Sequence, residues 1–103
     1  MSRLTKLISL AALLVAPSMA TAAEVNVVSW GGAYTESQKL GYGDPYQEMS
    51  GVQVNWIDYS GGLSEIKAQV ESGAITWDII DVYARDTIIG CDEGLFEEFD
   101  FDN

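Results

Sequence analysis

The sequence predicts an α/β fold, a short parallel sheet laid down in the order β-α-β-α-β-α. Three observations carry that expectation. Short β-branched runs alternate with stretches of helical periodicity. Glycine-rich turns punctuate the junctions. The links are short, as they are when consecutive parallel strands are joined through a helix.

The elements follow in order. Residues 25–29 (Val-Asn-Val-Val-Ser) form a nearly unbroken β-branched run that reads as a buried strand. Trp30, Gly31 and Gly32 make a turn. Thr35 and Gln38 have capping-box spacing, so a helix is expected from there to about Leu40. Gly41, Gly43 and Pro45 predict a break or kink, followed by a short helical piece through Met49 that Gly51 closes. Residues 52–59 alternate apolar and polar side chains and predict a second strand. Ser60, Gly61 and Gly62 turn the chain again. Leu63, Ile66 and Val70 recur at helical spacing, with Ser72 and Gly73 as the stop. Residues 76–82, with Ile79, Ile80 and Val82, predict a third strand. A short helix over 84–90 follows, and Gly94 marks the next turn. Trp56 and Trp77 read as structural, and Asp78 as a maker of local hydrogen bonds. The tail from Phe96 alternates aromatic and acidic residues and predicts no element.

Residues 1–23 read as a secretory signal. Arg3 and Lys6 give a positive start, residues 7–16 are apolar apart from Ser9, and small residues around Ala20, Thr21 and Ala22 suit a cleavage site. The apolar run is about half of the roughly 20 residues that cross a bilayer. Residues 24–103 then carry Lys39, Lys67 and Arg85 against sixteen carboxylates, a side-chain balance of −13. Such a chain attracts cations and repels anionic surfaces, so nucleic acid is not an expected partner. It has no histidine, which removes imidazole-based triads and zinc sites. Nucleotide-binding glycine loops, a nucleophile elbow and a regularly spaced calcium loop are all absent. No catalytic residue, metal ligand or cofactor is therefore expected. About eighty residues are few for a parallel sheet, which needs both faces covered. Cys91, the single cysteine, would lie in an exported chain. Both features predict that residues 24–103 are the N-terminal fragment of a longer protein.

In open α/β sheets, ligands bind beyond the carboxyl ends of the strands. Three loops qualify here: residues 30–34, 59–62 and 81–83. They offer Trp30, Tyr34, Tyr59 and Tyr83, the glycine pairs Gly31–Gly32 and Gly61–Gly62, Ser60 and Asp81. Ring faces and a carboxylate suit an organic cation. Other readings stay open: the rings can pack on the sheet rim, Asp81 can cap a helix, and the glycine loops can present N–H groups to an anion.

The run Val27-Val28-Ser29-Trp30-Gly31-Gly32-Ala33-Tyr34 resembles the start of periplasmic solute-binding proteins of ABC importers, and within them the spermidine/putrescine-binding branch. Tyr59-Ser60-Gly61-Gly62, then Lys67-Ala68-Gln69-Val70-Glu71-Ser72-Gly73 leading into Thr76-Trp77-Asp78-Ile79-Ile80-Asp81, and Gly90-Cys91-Asp92-Glu93-Gly94-Leu95 fit the same group in the same order. The resemblance implies a type II periplasmic-binding-protein-like fold of two lobes that close around a ligand. It implies a periplasmic location and docking on a membrane permease. It makes residues 24–103 a partial N-terminal lobe and places ligand contacts at Trp30, Gly31, Gly32, Tyr34, Asp81 and Tyr83, beside which Ser60 of the second loop is a further candidate, with a polyamine or similar small organic cation as ligand. A carboxylate or iron complex is the alternative ligand, and a fragment of a secreted α/β enzyme the alternative class. The resemblance further implies that Cys91 pairs with a cysteine beyond Asn103. Gly41-Tyr42-Gly43-Asp44 departs from the family pattern, in which the first helix continues through apolar residues.

Overall fold

Three parallel strands in the order β2-β1-β3 organise the computed structural model, which describes residues 11–18 and 21–103. They are β1 (Glu24–Ser29), β2 (Gln53–Asp58) and β3 (Ile79–Ile80). The central strand carries three valines, and Val28 and Ser29 within it are fully buried. Register runs Glu24 to Gln53 through Ser29 to Asp58 on one side, and Val27 to Ile79 and Val28 to Ile80 on the other. The expected leader falls partly on residues 1–10, 19 and 20, which lie outside the described residues. Among the described residues no helix is long and apolar enough to cross a membrane.

Because partners in a parallel ladder point to the same side, the register defines two faces. On one, Val28 packs with Ile66 and Trp77, and Ile57, Tyr59, Leu63, Ile80, Val82, Leu95 and Phe96 close around them. These residues come from the sheet, from α3 (Ser64–Ser72) and from the chain on either side of α4 (Ala84–Asp92). Gly90 lies under the Phe96 ring, where a side chain would collide. Burying one residue such as Val28 stabilises the fold by about 1.5–3 kcal/mol. On the other face, Val25, Val27, Val54 and Ile79 meet Tyr42, Gly43 and Tyr46 around an apolar cavity of about 250 Å³. The expectation of a small α/β unit with helices on both faces of a parallel sheet therefore holds.

The first helix is where the structure departs most from the pattern read in the sequence. Helix α1 (Gly32–Gln38) starts three residues before Thr35, with Gly31 as its N-cap at φ 85°. Thr35 is not a cap. It is buried in the first turn, accepts the Gly31 N–H at 2.8 Å and donates to Asp58 Oδ1 at 3.2 Å. It thus ties the end of β1 to the end of β2. Nor does the chain break at the glycines. A π-helical turn (Lys39–Gly43) joins α1 directly to α2 (Asp44–Ser50). Pro45 falls at the start of α2, where its fixed φ suits the helix. Gly43 is required by packing: a Cβ there would stand 2.6 Å from Trp56 Cζ2. Gly51 ends α2 in the left-handed conformation, as expected.

The third strand is shorter than the apolar run predicts. The N–H groups of Thr76 and Trp77 are drawn off to Gln69 Oε1 on α3, at 2.9 and 3.2 Å, so the ladder begins only after them. Asp78 does not bond locally. Its Oδ2 accepts the Asn26 N–H at 2.7 Å and its own N–H donates to the Asn26 carbonyl at 3.1 Å, pinning β3 beside β1.

Candidate ligand-binding site

Chain direction along the sheet reverses at β1. The path from β1 to β2 runs through α1 and α2 on one face, and the path from β2 to β3 runs through α3 on the other. The carboxyl ends of β1 and β3 therefore flank the point where the strand order switches, the position where open α/β sheets bind ligands. Three aromatic side chains close over that end. Trp30, directly after β1, lies 5.0 Å from Tyr59 and 4.7 Å from Tyr83, centroid to centroid, with tilts of 30° and 36°. Tyr59 follows β2 and Tyr83 follows β3, so each strand contributes one ring. Beneath them Tyr59 meets the buried Trp77 edge-on at 5.6 Å. The Tyr59 hydroxyl donates to the Asp81 carbonyl, which locks the second loop to the third. Tyr83 remains more than half exposed.

Behind the rings lies a polar knot. Ser29 Oγ donates to Gln38 Oε1, Gln38 Nε2 donates to Asp81 Oδ2 at 2.6 Å, and Ser29 Oγ lies 3.0 Å from the same carboxylate oxygen. A hydroxyl has one proton. Giving it to Gln38 leaves the amide N–H for Asp81 and satisfies every member, so the order is Ser29 to Gln38 to Asp81. Asp81 is therefore not a helix cap: the N-cap of α4 is Tyr83. Its carboxylate holds α1 against the end of β3, and both contacts fall on Oδ2.

The electrostatics follow from this crowding. Burial, together with the negative charges of Asp81 and Asp86 and the neighbouring Tyr83, pushes the Tyr59 phenol above its ordinary value and keeps it neutral. Tyr42, in the π-helical turn, is also pushed up, first by burial and then by Asp81, with a hydrogen bond from the Gln38 amide opposing. Asp86, in the first turn of α4, is buried, and its Oδ2 has no hydrogen-bond partner. Lys39, Lys67 and Arg85 each lie beside a carboxylate, Glu36, Glu93 and Asp86. Among the described residues no group of His, Cys, Asp and Glu is arranged to hold a metal ion.

Of the residues expected to meet a ligand, the fold brings Trp30, Asp81 and Tyr83 to one end of the sheet. Gly31 and Gly32 form the left-handed entry to α1, at φ 85° and 54°. Tyr34 is half exposed on α1 and Ser60 is exposed in the loop after β2. Cys91 is an exposed thiol near the end of α4. Sequence reasoning missed Ser29, Thr35, Gln38, Tyr42 and Asp86. Ser29 read only as the last residue of a strand, and the spacing of Thr35 and Gln38 read as a cap. Ser29 and Thr35 at least lie close to the first glycine turn; Gln38, Tyr42 and Asp86 carry no local signal.

Comparison with known proteins now gives this geometry a context. No protein-family model matches the chain. The gamma-aminobutyric acid-binding protein of Pseudomonas aeruginosa is 37% identical over 85 residues, covering 82% of this chain and 24% of that protein. The PBP AgtB from A. tumefaciens R10, solved in complex with agropinic acid, superposes with a TM-score of 0.72 at 34% identity, over 80% of this chain and 26% of its own. An ABC transporter substrate-binding protein from Bradyrhizobium japonicum gives a TM-score of 0.74 at 34% identity, over 77% of this chain and 24% of its own. The chain is homologous to ABC-transporter substrate-binding proteins. Its fold is that of a partial lobe of a periplasmic binding protein, as the resemblance implied. It spans about a quarter of the length of the relatives it matches. These relatives are binding proteins of transporters, not enzymes. The two whose ligands are named bind an amino acid and an acid, so the likeness supports solute binding without the narrower spermidine/putrescine branch.

Proposed function

We propose that this chain is part of the periplasmic substrate-binding component of an ABC importer, and that its ligand is a small organic solute with a cationic nitrogen. The cluster of Trp30, Tyr59 and Tyr83 at the carboxyl end of all three strands carries the reading. Ring faces attract a desolvated ammonium group, by about 2 kcal/mol or more. Asp81 and Asp86 place further negative charge around the same phenol. An amino acid such as gamma-aminobutyrate presents that nitrogen and is what one relative is named for binding. A polyamine such as spermidine or putrescine presents the nitrogen alone and is the narrower form of the proposal. Residues 1–23 act as the export signal, and residues 24–103 supply one side of a cleft that closes on the ligand before docking on a permease. Trp30, Gly31, Gly32, Tyr34, Ser60 and Tyr83 line that side, and Asp81 holds the loops in place.

Calorimetry on the full-length protein tests this. Gamma-aminobutyrate or spermidine is expected to bind, and Trp30→Ala to weaken binding at least about tenfold, the equivalent of about 1.4 kcal/mol. Binding confined to carboxylates without a nitrogen, such as butyrate, would overturn the cationic reading. Turnover of the bound solute would overturn the transport reading.

A further inference from the structure

The loop after β2 holds two adjacent glycines at positive φ, Gly61 at 91° and Gly62 at 84°. Their surroundings differ. A Cβ on Gly62 would meet nothing within 4 Å. A Cβ on Gly61 would stand 2.7 Å from Trp30 Cζ3, 3.2 Å from Trp30 Cη2 and 3.6 Å from Tyr83 Cε2. Gly62 thus answers only to the turn. The bare α-carbon of Gly61 faces the outer edge of the Trp30 ring, beside Tyr83.

We propose that Gly61 is a positioning residue for the ligand site: its missing side chain lets the Trp30 indole settle against Tyr83 and so fixes the ring surface a ligand meets. The inference rests on reading the aromatic cluster as the ligand wall. The physical reason is that a gap of 2.7 Å between carbons is below any ordinary contact, and the atoms opposite belong to a rigid ring fused to a short side chain. Tyr59 and Tyr83 stand close on the indole, and Tyr59 is tied by its hydroxyl to the Asp81 carbonyl. A methyl group at position 61 therefore displaces the indole from the cluster.

The pair of glycines supplies its own control. Gly61→Ala and Gly62→Ala both place a side chain at positive φ, so both lower thermal stability. Only Gly61→Ala touches the rings. In the full-length protein, Gly61→Ala is expected to change the near-ultraviolet circular dichroism of the free protein, and Gly62→Ala to leave it unchanged. Calorimetry with gamma-aminobutyrate and with spermidine is expected to show binding weakened about tenfold or more by Gly61→Ala and within about twofold of wild type for Gly62→Ala, tenfold being the mark of a contact-sized loss. In a Trp30→Ala background the two glycine variants are expected to give the same spectrum, because the ring they differ over is gone. Equal spectra and equal affinities for the two glycine variants in the wild-type background would overturn the proposal. If wild type binds neither probe, the amine reading of the site fails, and the spectra alone decide whether Gly61 seats Trp30.

Discussion

Gln38→Glu puts the polar knot behind the rings to a quantitative test. The change keeps the side chain's size and shape. It replaces an amide N–H that donates to Asp81 Oδ2 at 2.6 Å with a second carboxylate oxygen. Two costs follow. The lost hydrogen bond is charge-assisted and contributes about 1.5–3 kcal/mol. Two like charges about 4 Å apart repel by roughly 1 kcal/mol in water and roughly 4 kcal/mol at the effective dielectric of a protein surface. At neutral pH the variant is therefore expected to lose about 3 kcal/mol or more of unfolding free energy. The sign with pH is fixed. Two carboxylates sharing a site raise the pKa of one of them in the folded state. Stability is then intact below the unfolded carboxylate value of about 4 and is lost as pH rises through the folded value. Urea denaturation of the full-length protein at acid and neutral pH measures this, with Gln38→Leu as the uncharged control. Gln38→Leu should lose only the hydrogen bond, about 1.5–3 kcal/mol at neutral pH, and its deficit should shrink less on acidification because no second charge is added. A Gln38→Glu deficit below about 1 kcal/mol, or one that does not shrink on acidification, would show that Gln38 does not donate to Asp81.

Other expectations rest on single contacts. Tyr59→Phe removes the donor to the Asp81 carbonyl and should cost about 1 kcal/mol at neutral pH. The Tyr59 phenol is raised above 10.0, so its contribution is present below that pH and is lost as pH climbs past it; the deficit of Tyr59→Phe relative to wild type should therefore narrow in alkali, read from denaturation midpoints. Gly43→Ala drives a methyl to 2.6 Å from the Trp56 ring and should destabilise by about 1–3 kcal/mol, whereas Gly41→Ala, with nothing within 4 Å, should gain up to about 1 kcal/mol; equal midpoints for the two would refute the packing argument. Asp86→Asn neutralises a buried carboxylate whose Oδ2 has no partner, so the midpoint should hold or rise. A loss above about 2 kcal/mol would instead mean that this oxygen accepts a bond in the working protein.

Much of the architecture was legible in the residues. The β-branched run at 25–29 was legible as a buried strand, and the helical spacing of Leu63, Ile66 and Val70 placed α3 within a residue or two. Tertiary structure overrode local signals where two elements compete for the same group. The apolar stretch after Ala74 reads as a full strand, but the Gln69 side chain captures the N–H groups of Thr76 and Trp77, and only Ile79 and Ile80 stay in the ladder. Glycines at 41 and 43 read as helix breakers, yet the chain runs through both as a π-helical turn, and only Gly43 is required there, by its packing against Trp56. For the candidate site, Trp30 and Tyr83 were visible because they immediately follow strands. Gln38 and Tyr42 were not, because their roles depend on contacts with Asp81, more than thirty residues away in sequence, that no local pattern encodes. The narrower ligand assignment rested on ring chemistry alone, which does not distinguish an amine from an amino acid.

The wide turn at Lys39–Gly43 also sets the rotational phase of everything after it. A π-helical turn is an α-helix carrying one surplus residue, and each α-helical residue advances the chain by about 100°. Deleting a single residue there, Gly41 for instance, would swing α2 by that angle about its own axis. Tyr46 would rotate off the valine face it now covers, while α1, with its grip on Ser29 and Asp81, would keep its place. The length of this short segment is thus under as tight a constraint as its composition, and a one-residue deletion should be harder for the protein to absorb than most substitutions within it.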